Sequence, residues 1–110
     1  MNPSAPRTVG QLGEFVAAEF LSRRGLRIRE RNRFVGGDEI DLIASSGTQL
    51  IAIEVKCSTN NDDPLLAYDD EKHERVWRAI TGHPWVIHRL DVVAVSIANQ
   101  MVRIRWLQNV

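Results

Sequence analysis

Apolar residues recur with two different periods along this chain, and the switches between them predict its elements. Leu12, Phe15, Val16, Phe20 and Leu21 follow a helical period. Thr8 stands where an N-cap belongs and Gly25 where a helix stops, so the spacing predicts a helix over 9–24. From Leu26 to Phe34 the pattern alternates, which sets Arg27, Arg29, Arg31 and Arg33 on one side of a strand. Gly36-Gly37 reads as a turn and Asp38–Ser45 as a second strand. Ser46-Gly47 reads as a tight turn and Thr48–Ser58 as a third strand. The polar stretch 59–64 is a loop. His73, Val76, Trp77 and Ile80 mark the buried face of a helix over 68–81, ended by Gly82-His83-Pro84. Arg89–Ile97 and Met101–Leu107 are the last two strands. Three strands in a meander, a crossover helix and two further strands give an α/β fold. Its core is a mixed sheet flanked by helices, in one domain over residues 1–110.

Strands two and three carry charge where burial disfavours it. Ile51, Ile53, Val55 and Cys57 share one face of strand three; Leu50, Ala52, Glu54 and Lys56 share the other. In strand two, Ile40, Leu42 and Ala44 alternate with Glu39, Asp41 and Ile43. A two-residue Ser46-Gly47 loop pairs Ser45 with Thr48, hence Asp41 with Ala52 and Glu39 with Glu54. Asp41 and Glu54 are then diagonal neighbours on one face, roughly 7–8 Å apart at the backbone. Two acids, a third nearby at Glu39, and Lys56 one step along the same face suit a hard divalent cation, Mg2+ or Mn2+. The competing reading is a solvent-exposed sheet face with an ordinary Glu–Lys pair.

Composition narrows the classes. The chain has 110 residues, a formal net charge of zero and a single cysteine, Cys57, so no internal disulfide and no Cys/His zinc set can form. That suits a reducing, cytoplasmic setting. No apolar run is long enough for a membrane span. Residues 1–36 hold seven Arg and three acids, 37–74 ten acids and two Lys, and 75–110 five Arg and one acid. An acidic middle between basic flanks fits carboxylates for a cation and basic surface for phosphates.

Gly10-x-x-Gly13-Glu14, Arg31-Asn32, Asp38-Glu39-Ile40-Asp41-Leu42-Ile43-Ala44 and Ile53-Glu54-Val55-Lys56 occur in this order. They resemble the YraN-type family of uncharacterised bacterial proteins, within the PD-(D/E)XK endonuclease-like superfamily. The resemblance extends to Lys72 and to Arg89–Val93 and covers nearly the whole chain. Archaeal Holliday-junction resolvases are similar in layout. The resemblance implies a restriction-endonuclease-like fold, in the order αβββαββ. It also implies hydrolysis of phosphodiester bonds in nucleic acid, DNA in preference to RNA, with branched or damaged DNA among the substrates. By position, Asp41 and Glu54 would hold the metal, Lys56 would act on the attacking water, and Glu14 would reach the site from the first helix. The chain departs from the family pattern at Cys57-Ser58, where a basic residue is usual, and at Asp38, which separates Gly37 from Glu39. The alternative is a non-catalytic nucleic-acid-binding module using Arg27, Arg29, Arg31, Arg33 and Lys72. The same arginine row would also serve to blunt an edge strand. Exposed aromatics suit a homodimer, although no sequence feature decides it.

Overall fold

The structure, a computed structural model, describes residues 5–110. Helix α1 (Val9–Arg23) starts where Thr8 Oγ1 accepts the Gln11 N–H at 3.1 Å, and Gly25, at φ +90°, turns the chain out of it. Strands β1 (Arg27–Val35), β2 (Asp38–Ser46) and β3 (Gln49–Ser58) follow as an antiparallel meander. A short 3-10 turn (Pro64–Ala67) leads into α2 (Asp70–Gly82), capped by the Asp69 carboxylate. β4 (Arg89–Ala98) returns parallel to β3, and β5 (Met101–Leu107) closes the sheet as an antiparallel edge. The strand order is β1-β2-β3-β4-β5. The expected mixed sheet with two helices is therefore present.

Each helix covers one face. Ala17, Ala18 and Leu21 of α1 pack on Leu42, Ala44, Ile51, Ile53, Val55, Val93 and Val95. Val76, Ala79 and Ile80 of α2 pack on Ile40, Ile43, Ala52 and Leu90. Double coverage explains why β3 and β4 are nearly continuous apolar runs. Gly13 sets the distance of α1 from β3: a Cβ on it would stand 2.4 Å from the Cβ of Cys57. Cys57 is half-buried against α1, as alternation places it. Among the described residues, no helix is long and apolar enough to cross a membrane.

Two details differ from the sequence pattern. β2 and β3 pair Ser46 with Gln49 and Leu42 with Ile53, so the reversal sits on Gly47-Thr48, with Gly47 at φ +58°. The register is two residues along from the expected one. A shift of two keeps every side chain on its face, but it carries Asp41 toward Glu54 and away from Ala52. The second difference is in β1. Its register slips by one residue between Ile28 and Glu30, and Asn32 takes a left-handed φ of 51°. Across Asn32 the faces change: Arg31 pairs with Leu42, which lies under α1, while Arg33 pairs with Ile40, which lies under α2. The four arginines therefore do not form one row. Arg31 stands on the α1 side, Arg29 lies 5.9 Å from the Trp85 ring centre, and Arg33 pairs with Glu30 at 2.7 Å. For the same reason Ile40 does not share a face with Leu42 and Ala44.

Asp91 anchors the other end of the sheet. It is fully buried and accepts Arg89 Nε and Nη2 at 3.0 Å each, the Trp106 indole N–H at 2.9 Å and the Asn109 backbone N–H at 2.9 Å. These bonds tie β5 and the chain's tail to β4.

Candidate active site

The ladder between β2 and β3 runs only as far as Leu42–Ile53. Beyond it the Asp41 carboxylate takes the place of a backbone acceptor, and Oδ2 receives the Val55 N–H at 2.8 Å. Here the two strands gather their charges. Lys56 Nζ lies 3.3 Å from Glu54 Oε1, both largely buried. Glu39 reaches the same point from β2, and Glu14 from α1, seated there by the close approach at Gly13. Carboxylate oxygens of Glu14, Glu39 and Asp41 all lie within 4.8 Å of one another. Asn32 Nδ2 donates to Glu14 Oε1 at 2.8 Å and fixes that side chain. From the other face α2 brings Lys72 and Arg75, which with Asp38, Glu39, Asp41 and Glu54 line a cavity of about 190 Å3.

The electrostatics follow from this crowding. Burial, then the charge of Glu54, then a hydrogen bond with Glu39 push the Asp41 carboxyl up to about 9. Burial also raises Glu54, against the pull of Lys56. Glu14 is raised by burial and partly relieved by Asn32. Lys72 is lowered, chiefly by the charge of Lys56 beside it. Tyr68 is pushed up to about 12 by burial and by the Glu54 charge. The group as a whole holds more acid than its cations neutralise, and all its donors are hard oxygens.

Of the four residues singled out from the sequence, Asp41 is the link: it packs with Glu14 and Glu39, and it shares the cavity wall with Glu54, whose partner is Lys56, and with Lys72. Glu54 stands outside the close group of Glu14, Glu39 and Asp41. Arg27, Arg29 and Arg33 do not border the cavity. Arg31 borders a second cleft beside Glu14. Glu39 joins the cluster, although the strand pattern marks it only as a neighbour; its spacing of two from Asp41 is the signal for it. Asn32 stands in the sequence only as part of the Arg31-Asn32 motif, with no role attached to it.

The fold and the site define an α/β protein whose carboxylates and lysines cluster where two central strands part. The description "Uncharacterised protein family UPF0102" matches residues 13–95, a span that takes in every member of this cluster. The chain belongs to that family, which supports the YraN-type resemblance. A UPF0102 protein of Chlorobaculum parvum is 39% identical over 99 residues, covering 83% of this chain and 77% of the relative. One of Chlorobaculum tepidum is 37% identical over 111 residues, covering 91% and 86%. One of Geobacter metallireducens is 30% identical over 111 residues, covering 94% and 91%.

Proposed function

We propose that this chain is a metal-dependent nuclease of the PD-(D/E)XK type, with a restriction-endonuclease-like fold, that hydrolyses phosphodiester bonds in DNA. The observation that carries the reading is the packing of Glu14, Glu39 and Asp41 within 4.8 Å of one another, beside the Glu54–Lys56 pair. The donor set fits Mg2+ or Mn2+: every donor is an oxygen, and a divalent cation would offset both the burial and the neighbouring Glu54 charge that together push Asp41 up to about 9. Asp41 and Glu54 would hold the ion, Glu54 from the cavity wall that it shares with Asp41, while Glu14 and Glu39 are packed against Asp41. When bound, it supplies Lewis acidity. Lys56 then orients the attacking water and places positive charge against the phosphate. Glu14, its carboxylate raised by burial, is suited to take a proton from that water. Lys72 and Arg75 face the same cavity and offset charge developing on the phosphate oxygens. The binding-only alternative leans on a one-sided arginine row, and Arg31 stands on the opposite face from Arg33.

The test is cleavage of linear, single-stranded, flapped and four-way DNA with Mg2+ or Mn2+. Cutting is expected on at least one substrate, falling by about 1,000-fold in Asp41→Asn and Glu54→Gln. Cutting that survives both substitutions, or persists in chelator, rules this site out.

A further inference from the structure

A second cleft, of about 660 Å3, lies between the start of α1 and β1. Its walls include Arg7, Gln11, Glu14, Phe15, Arg31 and Asn32. Two features make it more than a surface dip. Glu14 belongs both to this cleft and to the carboxylate cluster, so the two spaces meet at one side chain. Phe15 is an aromatic residue of α1 that leaves nearly half its surface, 47%, uncovered. The register slip between Ile28 and Glu30 is what brings Arg31 to this side, since Ile28 already faces α1. An open aromatic ring, guanidinium groups and a route to the candidate site together match one chemistry, a planar base with a phosphate attached. The volume suits a single nucleotide. A base stacked inside a duplex has no free face to offer the ring, whereas an unpaired one does.

We propose that this cleft receives an unpaired nucleotide next to the phosphate to be cut, its base against Phe15 and its phosphate toward Arg31. The substrate class is then nucleic acid with a single-stranded or unpaired element. The placement of the scissile phosphate rests on the nuclease reading above; the nucleotide cleft does not.

Binding of a short labelled oligo(dT), an abasic strand and a duplex of equal length to the full chain in chelator tests it. The strand is expected to bind more tightly than the duplex. Phe15→Ala weakens oligo(dT) binding about tenfold, Phe15→Tyr leaves it unchanged, and neither alters binding of the abasic strand. Arg31→Gln weakens oligo(dT) and the abasic strand alike and lowers the salt slope by about one. Equal binding of oligo(dT) by wild type and Phe15→Ala overturns the proposal, as does preference for duplex. If Phe15→Ala cuts duplex DNA at the wild-type rate and binds oligo(dT) normally, the cleft fails and the carboxylate site stands. If strand binding depends on Phe15 in a protein that cuts nothing, the cleft stands and the nuclease reading fails.

Discussion

Asp41 and Asp91 are both aspartates buried on inner strands of one sheet, and they are solvated in opposite ways. Asp91 accepts four hydrogen bonds, two of them from a guanidinium. Asp41 accepts one, from Val55, and otherwise meets Glu39, Glu54 and Glu14. Burial alone therefore does not distinguish a carboxylate satisfied within the fold from one left short of donors; the inventory of donors does. Asp91 is complete and has no use for a ligand. Asp41 is left short of positive partners, and the fold retains that cost.

The largest expected effect falls on the complete carboxylate. Asp91→Ala strands Arg89, the Trp106 indole N–H and the Asn109 N–H at once. It is expected to cost about 3–5 kcal/mol, read by urea denaturation. A loss under about 1 kcal/mol would mean that these bonds are no better than surface pairs. The crowded carboxylate is expected to respond with the opposite sign. Folded Asp41 keeps its proton to about 9, against an ordinary value of 3.8. Between those limits the folded state binds more protons than the unfolded chain, so this group's contribution to stability falls as pH rises. Asn at this position still accepts the Val55 N–H and carries no charge. Asp41→Asn is therefore expected to raise stability by roughly 2 kcal/mol at pH 8, about 10 °C for a chain of this size. The gain should vanish below pH 4, where both states of wild type are protonated. A gain of equal size at pH 3 and pH 8 would remove charge burial as its cause.

The contrast between the two aspartates was only half legible in the sequence. The elements were, because α1 and β3 write their own periods: Thr8 and Gly25 bracket one, and Ile51, Ile53 and Val55 space the other. The face shared by Glu54 and Lys56 followed from alternation alone, and a register error of two residues left it intact. What alternation cannot supply is a break in itself. One slip near Arg29 and one left-handed residue at Asn32 redistributed four arginines that read as a row. Nor does a local pattern show who donates to whom. The Trp106 and Asn109 partners of Asp91 lie 15 and 18 residues away, as Asn32 lies 18 from Glu14. Asp91 in its Val-rich strand thus carries no local mark of the donors that satisfy it. Glu14 came into view only through resemblance, since an acid at the rim of a helix is common.

Asn32 sharpens the comparison further, because it donates a neutral hydrogen bond to Glu14 in the crowded region. It does two jobs: its backbone holds the left-handed turn at which the faces change, and its amide holds Glu14. The two separate by substitution. Gly adopts the same φ without strain but offers no amide, so on the nuclease reading proposed above Asn32→Gly is expected to lower cleavage about tenfold, with only a few tenths of a kcal/mol change in stability. Asn32→Ala loses the amide equally and adds about 1 kcal/mol of backbone strain, visible in the melting curve and absent from the rate. If Asn32→Gly cuts as fast as wild type, Glu14 needs no fixing and its part in the site falls away, while Asp41, Glu54 and Lys56 keep theirs. If Asn32→Ala is the slower variant of the two, the turn itself positions the carboxylates, and the change of face across Asn32 is part of the site rather than a route to it.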